Sequence, residues 1–424
     1  MKRSAAPKLG AYAGLTAFGL LAALVLGQPL VVALAAPFAV VLVAGLLFAE
    51  DPRLEAVVRV DRDRVLEGDE VILELELWTA REIPRLDVLV RIPEGLLVED
   101  GRNPVSIRLD PNESRTLTLK LRASRWGGYV LGGVVLRAQD HAGLFRYDMT
   151  LPRDLPLRVF PREEHLRTLL RPRETQPYVG DELSRRRGDG IEFADIRRFA
   201  FGDTVSRINW RATARRGELW VNDRHPERNT DVVIFLDSFT EARRHEAGTL
   251  DMAVRAAATL ARAYIGKRDR VGLIGFGGAL RWLLPGMGQV QLYRICEALI
   301  DTQILLTYAW RDIIAVPGRV LPPNAIVVAL TPLLDKRSIH ALFDLRARGY
   351  DLVVIETSPG PYVDPGETAV EQLAFRLWQL RRDSLRRRLQ QSGIAVTEWQ
   401  RGTPLAVGIE EVGAFRRHAY AGRG

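Results

Sequence analysis

Residues 188–237 read GDGIEFADIRRFAFGDTVSRINWRATARRGELWVNDRHPERNTDVVIFLD and separate two parts of the chain that have different sequence patterns. Charged residues and glycines alternate here with aromatic and aliphatic residues, and the stretch ends in an apolar run followed by Asp237. A solvated run of charges would lack the aromatic residues. The pattern therefore favours a folded segment that buries aromatic anchors while its charged groups pair with one another.

A short helix is predicted inside this stretch. Gly202 and Asp203 are typical of a turn followed by a helix N-cap, whose carboxylate accepts backbone N–H groups. We therefore predict a helix that begins at about Thr204 and ends at Gly217, since glycine favours the left-handed conformation that follows a helix. Two arginines spaced by four residues in it, Arg207 and Arg211, would share one face.

The same stretch supplies the candidate interaction residues. Trp210 lies three residues after Arg207, and we expect its ring to lie beneath the arginine side chains. An arginine face over an aromatic base would suit a protein partner, and structural ion pairs that hold the segment to a sheet are the alternative. The candidates are Glu192, Asp195, Arg197, Asp203, Arg207, Asn209, Trp210, Arg211 and Arg215.

The pattern G-x-E-F-x-D-I-R-x-F-x-x-G-D-x-x-x-R-I-N-W-R-A-T-A-R runs without a gap from Gly190 to Arg215. It resembles the signature of the bacterial domain-of-unknown-function 58 family. The resemblance implies two N-terminal membrane helices, a β-rich middle, this signature and a domain like von Willebrand factor type A. It also implies a MoxR-type AAA+ ATPase as the partner, in a chaperone-like or envelope-related role.

The composition limits what the chain can contain. At 424 residues it is long enough for two domains with full cores. Its single cysteine, Cys296, excludes an internal disulfide and a multi-cysteine zinc site. The net charge of +8 would suit nucleic acid, anionic lipid or an acidic protein, but no recognised reader motif accompanies it, and we expect no nucleic acid as partner. The sequence indicates no oligomeric state.

Two apolar stretches, residues 9–26 and 30–49, each have the length that spans a bilayer. We predict a membrane hairpin over residues 1–52. A signal peptide with a cleavage-like site at residues 33–35 is the alternative, but it would not need the second stretch. Positive residues precede the first span and follow the second, and the connecting turn has none. By the positive-inside rule, both termini and the soluble domains are expected in the cytoplasm, at the bacterial inner membrane.

Residues 53–162 are predicted to form an immunoglobulin-like β-sandwich. Apolar and polar residues alternate in short segments at 71–78, 86–92, 117–122 and 133–137, which lets each strand bury one face. Turn residues at 68–69, 93–95, 110–112 and 127–128 separate the strands. Residues 140–145, DHAGLF, are interpreted as a further turn and not as a metal site.

Residues 163–229 are expected to be a linker with the signature, residues 230–402 an α/β domain, and residues 403–424 a C-terminal tail. Strands are predicted at 231–237, 270–276, 280–284, 325–331, 352–356 and 394–399, and helices at 249–267, 289–300, 336–348 and 367–391. This alternation indicates a mostly parallel, doubly wound sheet, and by resemblance a domain like von Willebrand factor type A.

The metal site that the resemblance implies is incomplete. It would use D-x-S-x-S after the first strand, but Phe239 and Glu241 stand where the two serines are expected. Pro332 stands where a later aspartate is expected. We therefore expect no cofactor, and Mg²⁺ or Mn²⁺ in a shifted geometry is the alternative. The oxygen-bearing side chains at this edge are those of Asp237, Ser238, Thr240, Glu241, Thr331 and Asp335.

Two further patterns are ambiguous. The glycines of residues 272–278 resemble a dinucleotide loop, but they lie in and after a predicted strand with no helix N-terminus to meet a phosphate. Residues 376–388 predict a basic amphipathic helix, with Leu377, Leu380, Leu385 and Leu389 as its apolar residues. It could lie on anionic lipid or present a solvated face.

These patterns favour a membrane-anchored, cytoplasmic-facing interaction or assembly-factor protein that is not an enzyme. A metal- or phosphate-dependent enzyme using Glu192, Asp195 and the arginines is the alternative, since arginine binds phosphate well. Against the enzyme, the signature has no histidine beside a nucleophile.

Overall fold

The computed structural model describes residues 1–47, 51–170, 193–201, 203, 205–224, 231–244, 247–305, 312–323 and 325–421. The chain forms two compact units. Residues 1–163 with 296–302 form the N-terminal unit, and residues 164–295 with 303–424 form the α/β unit.

The first elements of the chain are a short strand and two apolar helices. They are β1 (Lys2–Ala5), α1 (Pro7–Leu26) and α2 (Val32–Leu47), with a 3₁₀ turn at Pro29–Val31. Both helical segments are long and apolar enough to cross a membrane, and most of their side chains are exposed. They pack closely at Gly19, where a Cβ atom would lie 2.6 Å from the Cβ of Ala35. Two apolar N-terminal helices of this kind are consistent with membrane anchoring.

Both ends of this helix pair contact one turn of the following β region. The backbone N–H of Ala6 donates to the carbonyl of Leu144 at 2.8 Å, and β1 pairs with a later strand. At the other end, Gly45 of α2 packs against Leu144 so closely that a Cβ atom would overlap its side chain. The helices therefore leave the β region and return to it at the same place.

The β region is built from short strands with one buried face. They are β2 (Leu54–Val60), β3 (Arg64–Leu66), β4 (Glu70–Thr79), β5 (Ile83–Val90), β6 (Leu96–Asp100), β7 (Val105–Leu109), β8 (Ser114–Ala123), β9 (Gly127–Leu131), β10 (Val134–Gln139), β11 (Phe145–Leu151) and β12 (Leu155–Phe160). Residues 127–128, predicted as a turn, instead begin β9.

Two antiparallel sheets, β2-β4-β8-β6 and β1-β11-β10-β5-β7, face a common core, and a third small sheet is β3-β12-β9. Alternation places Leu73 and Leu75 of β4 in this core with Leu86 of β5 and Leu136 of β10. Residues 140–145 form the predicted turn, in which the Phe145 N–H donates to the Asp140 carboxylate at 2.8 Å.

The α/β unit begins with a hairpin and continues as an alternating fold. Its strands are β13 (Phe193–Arg198), β14 (Trp220–Arg224), β15 (Asp231–Ser238), β16 (Arg243–Arg244), β17 (Ala247–Gly248), β18 (Arg270–Gly277), β19 (Arg281–Gly286), β20 (Ile326–Thr331), β21 (Asp351–Thr357) and β22 (Ala395–Trp399). The helices of this part of the chain are α3 (Trp210–Arg216), α4 (Thr249–Gly266), α5 (Gly288–Ile300), α6 (Lys336–Ala347), α7 (Ala369–Gln391) and α8 (Leu405–Ala421).

The main sheet has the order β19-β18-β15-β20-β21-β22, and every pair in it is parallel except β18 with β19. Its central strands are fully buried, as expected when helices cover both faces of a parallel sheet. The glycines of residues 272–278 lie in β18 and in its connection to β19, and no helix follows them directly.

The end of the chain differs from the predicted tail. Residues 405–421 form α8, which buries Leu405, Ile409 and Val412. Arg416 of this helix forms an ion pair with Asp351 at the start of β21. The last described helix is therefore part of the α/β unit.

The first residues of the predicted linker also belong to the α/β unit. The Glu164 carboxylate accepts the N–H of Leu405 at 2.8 Å, and the Tyr264 hydroxyl donates to the carbonyl of Leu170 at 2.8 Å. Leu166 is buried between these anchor points. Residues 171–192 of this segment lie outside the described ranges.

Candidate functional site

The signature forms an antiparallel hairpin with a helical insertion. β13 pairs with β14, and the other edge of β14 bonds to the chain before α3, where Ile208 pairs with Val221. A 3₁₀ turn, Val205–Arg207, and α3 fill the connection between the strands. The buried side chains of Ile208 and Val221 provide the contact that holds the insertion to the hairpin.

The start of this helix differs from the prediction. Asn209, and not Asp203, is its N-cap, because the Asn209 side chain accepts the N–H of Ala212 at 3.0 Å. The amide of Asn209 also donates to the side chain of Asn222 at 2.7 Å, which ties the cap to β14. The helix ends at Gly217, with φ at 73°, as predicted. Arg207 lies in the preceding 3₁₀ turn, so it does not share an α-helical face with Arg211.

Asp203 has a different role, as the acceptor of a two-pronged ion pair. Both carboxylate oxygens of Asp203 accept from the guanidinium of Arg197 at 2.8 Å, and one also accepts the N–H of Ala200. The Asp203 side chain is only 1% exposed. This pair fixes the turn after β13, which supports the interpretation of these two residues as structural.

Two aromatic residues of the signature are not buried as the pattern indicated. Phe201 is fully exposed and Trp210 is 64% exposed. Val205 beside them in sequence is exposed as well, and so are Arg211 and Arg215. A hairpin of this length has little interior, so its sequence can hold a few aliphatic residues inside but leaves these rings in solvent.

Two candidates are placed only in part or not at all. Asp195 lies in β13, where its backbone is opposite Asp223. Glu192 lies outside the described residues, and the same is true of the side chains of Asp195 and Arg207.

Replacing Arg197 with alanine is expected to open the hairpin. The loss of two hydrogen bonds to a buried carboxylate should cost about 2 kcal/mol, which is roughly a thirtyfold increase in hydrogen exchange of the β13 and β14 amides. Arg198→Ala is the matched control, because Arg198 and Glu218 form an exposed pair. Equal exchange in the two variants would contradict the structural role of Arg197.

The second candidate region is the carboxyl edge of the main sheet. Asp237 is the last residue but one of β15 and lies beside Thr331, which ends β20. The Thr331 hydroxyl donates to Asp237 Oδ2 at 2.6 Å. Asp237 Oδ1 accepts the N–H of Phe239 at 3.1 Å, and the Thr331 oxygen accepts the N–H of Leu333 at 3.0 Å. These bonds fix both loops that follow the strands.

Burial raises the pKa of Asp237 to about 6, although the bonds from Thr331 and Phe239 oppose this rise. The hydroxyl of Ser338 in α6 is buried and lies close enough to Asp237 to lower the pKa of its carboxyl. Among the described residues, this hydroxyl forms no hydrogen bond of standard geometry. Asp237 is 2% exposed, so its carboxyl is shielded from solvent.

The other side chains at this edge pair with protein groups. Phe239 is buried, and the guanidinium of Arg337 lies 3.9 Å from the centre of its ring. Arg337 also forms an ion pair with Asp335, which holds the pKa of that carboxyl below its ordinary value, with a smaller contribution from Thr240. Glu241 pairs with Arg243. Among the described residues, no group of three or more His, Cys, Asp or Glu side chains could hold a metal ion.

A neighbouring ion network was not predicted from the sequence. Glu356 at the end of β21 is fully buried, and it pairs with Arg382 and Arg386 of α7. Arg386 also pairs with Glu398 of β22, and Arg382 donates to the carbonyl of Pro332 at 2.7 Å. The signal for this network was a glutamate at the end of an apolar strand, together with arginines four residues apart on a later helix.

Comparisons with known proteins agree with the signature. Residues 195–356 match the family described as "Protein of unknown function DUF58". The chain is similar to "Uncharacterized protein YeaD" of Bacillus subtilis (strain 168), with 23% identity over 243 residues. That alignment covers 54% of this chain and 61% of the relative, so it spans less than two thirds of the relative's length.

Similar solved structures include an Escherichia coli alpha-2-macroglobulin fragment, with 18% identity, a TM-score of 0.22, and coverage of 25% of this chain and 17% of that chain. The CARDB domain of PF1109 from Pyrococcus furiosus is 15% identical, with a TM-score of 0.17 and coverage of 26% and 97%. TM-scores this low support no assignment. The match to the DUF58 family model covers residues 195–356, which contain most of the signature hairpin, the Asp237 edge and Glu356.

Proposed function

We propose that this protein is a membrane-anchored docking protein that holds a protein partner at the cytoplasmic face of the bacterial inner membrane. The signature hairpin is the docking surface, and the partner is an ATPase of the MoxR type in a chaperone-like or envelope-related process. The observation that carries the proposal is the exposure of Phe201 and Trp210 on a hairpin that the Arg197–Asp203 pair holds in one shape.

The composition of this surface supports protein binding. Tryptophan and arginine are enriched among the residues that contribute most to protein–protein affinity. Helix α3 exposes one tryptophan and two arginines, Trp210, Arg211 and Arg215. A rigid surface binds with a smaller entropic cost than a mobile one. The partner surface should therefore offer an apolar pocket bordered by carboxylates.

The anchor and the two folded regions complete the proposal. The N-terminal helices would span the bilayer, with positive residues at both outer ends to keep the soluble regions in the cytoplasm. The sandwich would be immunoglobulin-like and act as a spacer. The α/β unit would be like von Willebrand factor type A, which is supported by Asp237 and Thr331 at the ends of neighbouring parallel strands.

Replacing Trp210 with alanine should weaken the partner complex by at least tenfold in Kd, because the ring would be a central contact. The full-length protein in lipid nanodiscs would be titrated with the purified ATPase, in the presence of ATP and of ADP. Phe201→Ala should have a similar effect. Trp78→Ala is the matched control, since Trp78 is a partly exposed tryptophan of the sandwich.

The proposal would be wrong if the ATPase showed no saturable binding to the full-length protein in any nucleotide state. It would also be wrong if Trp210→Ala and Phe201→Ala bound the ATPase within twofold of the wild-type Kd.

A further inference from the structure

Helix α7 has two apolar faces, and only one of them is covered by the protein. On the inner face, Leu389 is buried and Leu385 packs against the core of the α/β unit. Arg382 and Arg386 lie on this same side, where they pair with Glu356. The inner face thus accounts for two of the four leucines that the sequence pattern grouped together.

The outer face is an aliphatic stripe in solvent. Its members are exposed by between 51% and 77%, and they are Val370, Leu373, Leu377 and Leu380. At 3.6 residues per turn, these four positions fall within a sector of about 80°. Leu385 and Leu389 project about 100° and 140° from the centre of this sector, so the stripe does not overlap the face that packs on the core.

Arginines border the stripe on both sides. In the same projection, Arg376 and Arg387 lie along one border, while Arg381 and Arg388 lie along the other. These four arginines are exposed. The carboxylates of α7 are used elsewhere, because Glu371 caps the helix N-terminus with Thr368 and Asp383 pairs with Arg386.

We infer that the outer face of α7 binds the surface of an anionic lipid bilayer. Aliphatic residues on one face with arginines at its borders are the composition of helices that lie in the membrane interface. The chain also carries two apolar helices that can hold it at a bilayer. A second copy of α7 is a poor occupant, since its arginine borders would face those of the first copy.

The test uses the full-length protein in vesicles, with one fluorophore on α7. The single cysteine, Cys296, is replaced by alanine, and a polarity-sensitive nitrobenzoxadiazole label is attached at Leu377→Cys. Gln379→Cys is the matched control, because this exposed position projects away from the stripe. The vesicles contain nitroxide-labelled lipid near the headgroups, with phosphatidylcholine alone or with phosphatidylglycerol added.

The label at position 377 should shift to the blue and be quenched at least twice as strongly in the anionic vesicles as in the neutral ones. The label at position 379 should change little. Arg381→Glu with Arg387→Glu should reduce the lipid-bound fraction, by about fivefold in the binding equilibrium for each arginine lost.

Three results would overturn the inference. The label at position 377 would keep its aqueous emission in anionic vesicles, or it would be quenched no more than the label at position 379. In the third case, its shift would depend on protein density and not on anionic lipid, which would identify a second protein copy as the occupant. If the emission shifts only after an acidic partner protein is added, the label has kept its aqueous emission in the anionic vesicles themselves, and the inference is overturned in the same way.

Discussion

Arg382→Ala is expected to lower the free energy of unfolding of the α/β unit by about 3–5 kcal/mol, because it leaves a buried carboxylate without its main partner. The Arg382 side chain is 11% exposed, and Glu356, which accepts from it, is fully buried. Burial already raises the pKa of Glu356, and Arg382 is the largest opposing contribution. For a unit of this size the melting temperature should fall by roughly 6–20 °C.

The neighbouring residue provides the control for this prediction. Arg381 is exposed, and in detergent Arg381→Ala should leave the melting temperature nearly unchanged. Adding Glu356→Gln to Arg382→Ala should recover part of the loss, because it removes the unpaired charge. Hydrogen exchange of the buried β21 amides measures the unfolding of the α/β unit separately from that of the rest of the chain. A loss below about 1 kcal/mol would show that Arg386 alone can balance Glu356.

The alternating part of the chain was predictable because its periodicities are strong. Each strand and helix expected between residues 231 and 399 has a counterpart in the structure, with differences of a few residues at the ends. Apolar runs as short and as rich in β-branched residues as residues 232–236 favour central strands of a sheet that is covered on both faces. The two apolar N-terminal helices follow from their composition in the same way.

The signature could not be predicted in the same way. Its aromatic side chains were expected to be buried, but the hydrophobicity of a residue does not show whether another part of the protein packs over it. Phe201 and Trp210 are exposed because the hairpin has no second layer over them among the described residues. The N-cap was predicted at the wrong residue because Asp203 and Asn209 are both good cap residues. In the folded hairpin Asp203 pairs with Arg197, and Asn209 caps the helix.

The helix at the end of the chain could have been found. Leu405, Ile409 and Val412 have the spacing of one helical face, and the predicted tail ignored it. No local sequence pattern predicts the hydrogen bonds of Glu164 and Tyr264 with residues distant in sequence. For Glu356 the sequence held a signal, its place near the end of an apolar strand, but its partners lie on a helix that begins after an intervening loop.

Asp237→Asn is expected to stabilise the α/β unit at neutral pH, in contrast to most substitutions of a buried polar residue. Burial raises the pKa of Asp237 from its ordinary value of 3.8 to about 6. Between these two pH values the unfolded chain has lost the proton and the folded chain retains it. Stability that is present below pH 4 is therefore lost as the pH rises to 6, by about 3 kcal/mol in total. Asparagine stays neutral and avoids this loss.

The difference in unfolding free energy between Asp237→Asn and the wild type should thus be small near pH 4 and favour the variant by about 3 kcal/mol above pH 7. Asp335→Asn, at the same edge of the sheet, should show the opposite dependence. The Arg337 guanidinium lowers the pKa of Asp335, so the wild type gains stability from this carboxylate at neutral pH and loses it in acid. Denaturant unfolding of the full-length protein in detergent, followed across this pH range by hydrogen exchange of β15 and β20, measures both slopes. A pH-independent difference for Asp237→Asn would mean that Asp237 is already ionised in the folded protein near pH 4, stabilised by Thr331 and Phe239 despite its burial.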